Sequence, residues 1–247
     1  MKNYQKISNT SFEDLQYNNN LFDRAGRPKT NGKINYNVIF NDIINKLQLS
    51  SDSSLLDIGC GSSKLTQKII NYSKKNKIRL TLNDIDPVIK FLKKNNKEKN
   101  IKYVSGLFHK IKMTKKFDYI IIYSVIHYVQ NPVLFLSKAF KMLKNNGRIL
   151  IGDIPNINKK ARFIMSKKGR IFESKYRNEK INKIPIYKDY NDFIKNNKHL
   201  RNDINDNIIC KLFNVYRKKN CNFYILEQNK NLPTCFTRED ILIEKLK

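Results

Sequence analysis

Short runs of β-branched and aliphatic residues alternate with stretches of helical periodicity between residues 54 and 152, and no other feature of the sequence constrains the fold as strongly. The run at 117–123 is almost unbroken, which is typical of a strand buried on both faces of a parallel sheet. Strands that alternate with helices predict βα units around such a sheet. The five predicted strands cover residues 54–58, 78–83, 101–104, 117–123 and 148–152.

Regular patterns also flank this alternating region. Apolar residues recur at helical spacing before it and after it, and two more β-prone runs follow near the C-terminus. The segments concerned are two predicted helices, at residues 34–48 and 204–216, and two predicted strands, at residues 223–226 and 241–244.

The remaining segments are polar. Residues 1–33 form an asparagine-rich N-terminal segment. Between residues 155 and 200 the periodicity weakens and charge dominates, so we expect an insertion with one or two helices that acts as a lid on the substrate side. Because there is no internal repeat and no clear linker, residues 1–247 are interpreted as a single domain.

Several polar residues and one glycine mark predicted helix ends. Ser62 or Ser63 is available as an N-cap, and Asp86 before Pro87 is interpreted as the cap of the next helix. A later helix starts at Asn131-Pro132, and Gly147 is interpreted as its C-cap.

The net charge of the chain is unusual. Forty-nine Lys and Arg residues against 21 Asp and Glu give +28 at pH 7, and 39 of the 49 are lysine. Such an excess raises nucleic acid or an anionic surface as a partner. Lysine, asparagine and isoleucine also have AT-rich codons and arginine is not enriched, so an AT-rich genome is the favoured explanation of the charge. In either case anionic substrates would be attracted.

Membrane and disulfide-rich classes are not indicated. The longest aliphatic-rich run, at 119–126, is too short to span a bilayer, and the N-terminus lacks the apolar stretch of a signal peptide. No two cysteines form a C-x-x-C pair, which predicts neither a zinc site nor a disulfide framework. We therefore expect a cytoplasmic protein without a metal.

Candidate chemistry is concentrated in a glycine-containing turn, D-x-G-x-G at residues 57–61, between a predicted strand and a helix. Glycine lets a ligand approach the backbone closely, and open parallel sheets bind ligands beyond the carboxyl ends of their strands. Asp84 ends the next strand, 23 residues after Gly61, where a carboxylate can bind both ribose hydroxyls. A nicotinamide-type G-x-G-x-x-G pattern fails because Lys64 stands at its third glycine.

The motif at residues 57–61 resembles motif I of the class I S-adenosylmethionine-dependent methyltransferases. Asp84 matches their ribose-binding acid, residues 117–121 are similar to their fourth-strand motif, and residues 143–150 to the stretch that enters their fifth strand. The resemblance implies an α/β, Rossmann-like methyltransferase fold. Its sheet would have seven mostly parallel strands, a C-terminal antiparallel hairpin and a helical insertion after strand five. The cofactor would be S-adenosyl-L-methionine.

The same resemblance implies roles for individual residues. Asp57 would accept a hydrogen bond from the methionine ammonium group of the cofactor, and Gly59 and Gly61 would pack under its methionine and ribose. Asp84 would hold the ribose, and the adenine would lie near residues 105–108. The cofactor-binding residues expected on this basis are Asp57, Gly59, Cys60, Gly61, Asp84, Ile85, Leu107, Phe108 and Tyr123.

Three positions around the motif need comment. Ser63 stands in place of the third glycine of motif I and is tolerated if its φ angle is negative. Leu107 stands where the family often has an acid that contacts adenine. Cys60 is interpreted as a small packed residue rather than a nucleophile.

Methyl transfer from this cofactor is a direct displacement, so the enzyme mainly aligns the nucleophile and the methyl group. A general base is needed only where the acceptor must lose a proton. His127, after the fourth predicted strand, is the leading candidate because imidazole titrates near neutrality, although it could instead only order its loop. Asp153, which ends the fifth strand, is the alternative base.

The acceptor is constrained by motifs that are absent and by a further resemblance. No Asp/Asn-Pro-Pro-Tyr/Phe or Pro-Cys follows the fourth strand, so methylation of adenine, glutamine or pyrimidine C5 is not indicated. Residues 22–28 and 232–243 resemble segments of bacterial methyltransferases from surface-polysaccharide and sugar-nucleotide gene clusters, which implies a sugar hydroxyl or amine as acceptor. Basic residues of the insertion would then bind phosphates: Lys159, Lys160, Arg162, Lys167, Lys168 and Arg170.

Two alternatives to a small-molecule methyltransferase stay open. The net charge motivates an RNA methyltransferase, whose binding would weaken steeply with salt. The replacement of a motif I glycine by Ser63 motivates a non-catalytic protein that keeps the fold and the cofactor site.

Overall fold

Seven strands form one sheet in the computed structural model, which describes residues 35–98, 100–197, 204–232 and 234–247. In chain order the strands are β1 (Ser54–Ile58), β2 (Arg79–Asp84), β3 (Ile101–Ser105), β4 (Phe117–Tyr123), β5 (Leu143–Pro155), β6 (Cys221–Glu227) and β7 (Arg238–Lys245). Their spatial order is β3-β2-β1-β4-β5-β7-β6. β1 to β5 pair in parallel, whereas β7 is antiparallel to both β5 and β6. The predicted α/β sheet with its C-terminal antiparallel hairpin is confirmed.

Eight α-helices lie within the described ranges. They are α1 (Tyr36–Leu47), α2 (Lys64–Lys75), α3 (Asp86–Asn95), α4 (Pro132–Lys141), α5 (Ile157–Met165), α6 (Lys167–Arg177), α7 (Tyr190–Asn196) and α8 (Asp206–Arg217). No helix in this part of the chain has the length and apolar character needed to cross a membrane.

The sheet is buried on both faces. Leu55 and Leu56 are neighbours on β1, both have no exposed surface, and they belong to different apolar clusters. The cluster that contains Leu55 joins the sheet to α1, α2 and α3, and the one that contains Leu56 joins it to α4 and α8. Burial on both faces explains why β4 is an almost continuous apolar run.

The parallel strands bring several loops to one edge of the sheet. The carboxyl ends of β1 to β5 share that edge, and the insertion begins there because α5 follows β5 after a single residue. β6 points the same way as β5, since both are antiparallel to β7. The segment that joins β6 to β7 therefore also lies at the carboxyl edge.

The insertion holds three α-helices, more than the one or two that the sequence predicts. α5, α6 and α7 surround a small apolar core of Ile157, Ala161, Ile164 and Phe193. α6 lies so close to α5 that a Cβ at Gly169 would overlap the backbone of α5. These helices are short and bury few residues, which explains their weak periodicity. Residues 22–28, used above for the resemblance to sugar methyltransferases, lie outside the described residues.

The segment between α4 and β5 corrects one prediction. Gly147 is not the C-cap of α4, because the helix ends at Lys141 and Leu143 already pairs with Phe117. A Cβ at Gly147 would come within 2.8 Å of the carbonyl oxygen of Asp118. This glycine therefore permits a close approach of β5 to β4, which only the tertiary structure reveals.

Candidate active site

The glycine turn after β1 lies at the carboxyl edge of the sheet. Gly59 and Gly61 have φ angles of +68° and +62°, in the left-handed region that favours glycine. The amides of Gly59 and Cys60 donate hydrogen bonds to the carbonyl oxygen of Asn83 at 2.8 and 3.2 Å. The turn is thus held against the end of β2 by backbone contacts.

The two glycines differ in what surrounds them. A Cβ at Gly59 would lie 2.5 Å from Cγ2 of Val125, in the loop after β4. A Cβ at Gly61 would have no protein atom within 4 Å. Gly59 therefore packs against the neighbouring loop, whereas Gly61 borders open space that a ligand can fill.

Asp84 is bound to the same turn. Its Oδ2 accepts a hydrogen bond from the amide of Gly61 at 2.7 Å, and its Oδ1 accepts one from the amide of Ile85, also at 2.7 Å. Burial raises the pKa of the Asp84 carboxyl, and the two amide donors oppose that rise. Each oxygen keeps a further lone pair for a ligand hydroxyl.

Asp57 lies next to it, at the end of β1. Its side chain is 3% exposed, and among the described residues none donates a hydrogen bond to its carboxylate. Burial, and secondly the charge of Asp84, raise the pKa of Asp57 to about 8. A buried acid without a partner, beside a second acid, favours a cationic ligand group.

The helix that follows the turn accommodates the departure from motif I. Ser63 has φ −78° and caps α2, accepting a hydrogen bond from the amide of Leu65 at 3.3 Å. The hydroxyl of Thr66 donates to the carbonyl oxygen of Cys60 at 2.6 Å. Serine therefore imposes no backbone strain here and adds a cap.

Asp86 corrects a second prediction. It is not the N-cap of α3, because that position belongs to Ile85, which makes no side-chain cap. The carboxylate of Asp86 instead accepts a hydrogen bond from the hydroxyl of Ser105 at 3.0 Å and pairs with Lys90 at 2.6 Å. It links α3 to the end of β3.

The other residues expected at the cofactor fall into two groups. Cys60 and Leu107 are partly exposed beside the turn and after β3, and burial raises the pKa of the Cys60 thiol well above its usual value. A thiol that stays protonated fits the interpretation of Cys60 as a packing residue. Phe108 is buried, with its ring 5.1 Å from that of Phe135, and Tyr123 is buried against Gly152. Phe108 packs in the apolar cluster that contains Leu56, and Tyr123 packs in the cluster that contains Leu55.

Asn83 is a contributor that the sequence did not indicate. Its buried amide donates hydrogen bonds to the carbonyl oxygens of Val104 and Gly106 at 3.0 and 2.9 Å. It thereby fixes the end of β3 relative to β2. A buried asparagine inside a β-prone run is the only sequence signal for this role.

The candidate bases occupy the ends of β4 and β5. His127 lies in a 3₁₀ turn (Ile126–Tyr128), is partly buried, and has its ring centroid 4.1 Å from that of Tyr128. Asp153 and Ser124 both have positive φ angles, +60° and +58°, and their side chains are hydrogen-bonded to each other. Such conformations in residues other than glycine are uncommon and concentrate at functional sites.

Asp153 is embedded in a buried polar network. Its Oδ2 pairs with Arg238 at 3.1 Å, and its Oδ1 accepts a hydrogen bond from Gln228 at 3.3 Å. Its amide donates to Oδ1 of Asp240 at 2.8 Å, and Asp240 pairs with Lys46 of α1 at 2.7 Å. These contacts tie the end of β5 to β7 and to the segment between β6 and β7, and the roles of His127 and Asp153 as bases stay predictions.

No group of side chains in the described ranges is arranged to hold a metal ion. The site therefore consists of two neighbouring acids, a left-handed glycine turn that borders open space, and the loops after β4 and β5. Asp57, Asp84 and the two glycines come together as the sequence predicts. Their roles toward a ligand stay predictions.

Known proteins are similar to this chain in sequence and in fold. The sequence model of the methyltransferase-domain family matches residues 49–234. A curated relative, the malonyl-[acyl-carrier protein] O-methyltransferase of Haemophilus ducreyi, is 27% identical over 128 residues. The match covers 49% of each chain, so this chain spans about half the length of that relative.

Two solved structures share the fold. The plantazolicin methyltransferase BpumL, in complex with a triazolic desmethylPZN analogue and S-adenosylhomocysteine, has a TM-score of 0.62 at 17% identity, over 99% of this chain and 95% of the other. The N-methyltransferase NodS of Bradyrhizobium japonicum WM9, in complex with S-adenosylhomocysteine, has a TM-score of 0.57 at 12% identity, over 96% and 98%. Because the family model spans well over half of the sequence, the chain belongs to the methyltransferase-domain family of S-adenosylmethionine-dependent enzymes.

Proposed function

We propose that this chain methylates a small molecule, at a hydroxyl or amine of a sugar or sugar nucleotide. The observation that carries the cofactor part of the proposal is the buried Asp57 carboxyl beside Asp84, which is itself hydrogen-bonded to the open glycine turn at Gly61. The sugar part is supported by the resemblance of residues 232–243 to sugar methyltransferases.

The residues present fit S-adenosylmethionine, which supplies a methyl group on a sulfonium sulfur when bound. Asp57 would pair with the ammonium group of its methionine portion, which removes the cost of a buried acid without a partner. Asp84 would accept hydrogen bonds from the ribose hydroxyls through the lone pairs that the amides of Gly61 and Ile85 leave free. Gly61 would let the ligand approach the turn because it has no Cβ.

The acceptor would approach over the ends of β4 and β5. His127, in the turn after β4, would take a proton from an acceptor hydroxyl, and the hydrogen-bonded pair of Ser124 and Asp153 would line the site beside it. The similar proteins include an O-methyltransferase and an N-methyltransferase, which supports an oxygen or nitrogen acceptor. The insertion after β5 would cover this side of the site as a lid.

Calorimetric titration with S-adenosylhomocysteine tests the cofactor site. Asp57→Asn should weaken binding tenfold or more, about 1.4 kcal/mol, because an amide cannot neutralise the ammonium group. Asp52→Asn is the matched control, since Asp52 is exposed and asparagine tolerates its φ of +57°. A folded wild-type protein that does not bind S-adenosylhomocysteine, or an Asp57→Asn variant that binds normally, would contradict the assignment.

A methylation screen tests the acceptor. Purified protein and isotopically labelled S-adenosylmethionine are incubated separately with sugar nucleotides, free sugars and RNA, and label transfer is measured. The proposal expects transfer to a sugar-containing acceptor. Transfer to RNA alone, with binding that weakens steeply as salt rises, would replace it with the RNA methyltransferase hypothesis.

A further inference from the structure

Aromatic and basic side chains meet where the insertion contacts the segment that precedes β7. We call this group the aromatic–basic cluster; its members are Lys160, Phe163, Lys168, Phe172, Tyr176, Arg177 and Phe236. Lys160 and Phe163 belong to α5, four members belong to α6, and Phe236 comes from the β6–β7 segment. Because both parts begin at the carboxyl edge of the sheet, the cluster lies on the side from which an acceptor approaches.

The aromatic rings form a continuous layer. Phe163 and Phe236 are stacked at 4.8 Å with 11° between their planes, and Phe172 contacts both edge-on at 5.6 and 6.3 Å. Tyr176 continues the layer by stacking on Phe172 at 6.3 Å and 7°. Tyr176 is 62% exposed, so one end of the layer presents an aromatic face to solvent.

The cations on and beside this layer have few acids to pair with. Nζ of Lys168 lies 4.3 Å from the ring centroid of Phe236. Lys160 is partly buried, and among the described residues its ammonium group makes no hydrogen bond or ion pair with an acid. Burial lowers the pKa of Lys160; the charged groups that face it are Glu173, which raises the pKa, and Arg238 and Arg177, which lower it.

The nearby acids are already occupied. Glu173 accepts a hydrogen bond from Nε of Arg177 at 2.7 Å, and Asp153 pairs with Arg238 at 3.1 Å. Lys159 places another positive charge nearby, since its Nζ donates a hydrogen bond to the carbonyl oxygen of Arg238 at 2.8 Å. A partly buried ammonium group among cations, with the neighbouring carboxylates already paired, is the setting in which proteins bind an anion.

The cluster is also connected to the reaction site. Nη1 of Arg238 donates to the carbonyl oxygen of Asp153 at 3.0 Å, at the end of β5, and the side chain of Asp153 contacts Ser124 at the end of β4. An anion near Lys160 would therefore lie beside the strand ends where the acceptor is methylated.

We propose that the aromatic–basic cluster is the subsite that binds the phosphate portion of the acceptor, with Lys160 and Lys168 on the phosphate oxygens and Tyr176 against a ring of the same molecule. The inference rests on the proposed function, because it names the substrate class of that site. A nucleoside diphosphate sugar matches both the basic side chains and the exposed aromatic face of the cluster. Its phosphates supply the anion, and its nucleoside supplies the ring.

Calorimetry with uridine diphosphate glucose, uridine diphosphate and uridine tests the subsite, in the presence of saturating S-adenosylhomocysteine. We expect the two diphosphates to bind and uridine to bind at least tenfold more weakly. Lys160→Gln should weaken diphosphate binding tenfold or more, and Lys168→Gln should weaken it severalfold. Lys175→Gln, on an exposed position of α6, is the matched control and should stay within twofold of wild type.

The outcomes separate this inference from the proposed function. S-adenosylhomocysteine should bind Lys160→Gln and wild type equally, which also shows that the variant is folded. If S-adenosylhomocysteine binds but neither diphosphate does, or if Lys160→Gln and Lys175→Gln behave alike, the subsite is refuted while the cofactor site stands. If oligouridylate RNA binds through Lys160 and the small diphosphates do not, the cluster is an RNA contact and the inference is wrong.

Discussion

The amide of Gly61 donates a hydrogen bond to Oδ2 of Asp84 at 2.7 Å, so the glycine turn and the proposed ribose acid form one unit. Oδ1 of the same carboxylate accepts from the amide of Ile85. Asp84 therefore positions the turn even before a ligand arrives. Since each oxygen retains a lone pair after these hydrogen bonds, positioning the turn and binding the ribose are compatible roles.

Replacing Asp84 should disable the cofactor site. Asp84→Ala removes the acceptor for the ribose hydroxyls and the anchor of the turn, so S-adenosylhomocysteine should bind at least tenfold more weakly, about 1.4 kcal/mol, by calorimetry. Asp86→Ala is the control, because Asp86 is exposed and pairs with Lys90 rather than with the turn. Its affinity should stay within twofold of wild type. Equal effects of the two substitutions would show that Asp84 has no special role.

The pKa of Asp57 predicts that cofactor binding releases a proton. At pH 7 the free protein holds this carboxyl mostly protonated, because burial and Asp84 raise its pKa to about 8. Pairing with the ammonium group requires the ionised form, so affinity should rise with pH from 6 to 8, by at most about tenfold per unit, and level off above 8. Calorimetry in two buffers of different ionisation enthalpy measures the proton, and Asp57→Asn should abolish its release. A flat pH profile would contradict the pairing.

The raised pKa of Asp57 also predicts that the cofactor-free protein loses stability as the pH rises. An Asp carboxyl whose pKa is raised from 3.8 to about 8 is protonated in the folded state but ionised in the unfolded state between these values. The folded state binds more protons there, so the free energy of unfolding falls from about pH 4 to about pH 8 and no further.

Asp57→Asn removes that dependence. Urea unfolding should show the variant to be more stable than wild type at pH 8, by at most about 5 kcal/mol, with a smaller gain at pH 5. Asp52→Asn, at an exposed position, should change neither value by more than about 0.5 kcal/mol. The same gain at pH 5 and at pH 8 would mean that Asp57 does not titrate as proposed.

The parts of the fold that local patterns determine were predictable. β1 and β4 have the predicted bounds because a strand buried on both faces leaves an apolar run in the sequence. The positions of Asp57 and Asp84 near the carboxyl ends of β1 and β2 were predictable from the strand pattern, and their roles toward a ligand stay predictions. The strands β6 and β7 were predicted from β-prone runs in the sequence, whereas their antiparallel pairing followed from the family resemblance.

Contacts between distant segments were not predictable. Arg238 contacts Asp153 across 85 residues of sequence, and this ion pair gives the candidate base a structural partner that the sequence did not indicate. From the sequence alone Gly147 is interpreted as a helix C-cap. Its role depends on the close approach of the backbone of Asp118, which the sequence does not indicate. Sequence periodicity underestimates the number of helices in the insertion because each of them buries only a few residues.

Alanine at the two glycines of the turn should separate stability from binding. Both positions have positive φ, so each substitution costs about 1 kcal/mol in backbone strain. Gly59→Ala adds an overlap with Val125 and should lower the free energy of unfolding further. Gly61→Ala places its Cβ in open space, so it should cost no more stability than the backbone strain, but it should weaken the binding of S-adenosylhomocysteine tenfold or more. Urea unfolding and calorimetry measure the two effects, and the reverse pattern would place the ligand elsewhere.

His127→Gln should separate proton transfer from binding. If His127 takes the proton of an acceptor hydroxyl, kcat should fall about 10²- to 10⁴-fold, and the acidic limb of the pH–rate profile should disappear. S-adenosylhomocysteine should still bind within twofold of wild type, because His127 is not among the residues expected to contact the cofactor. Tyr128→Phe keeps the ring that lies 4.1 Å away and serves as the control for loop packing. Equal losses of activity in both variants, with the pH profile of the wild type retained, would show that His127 only orders its loop.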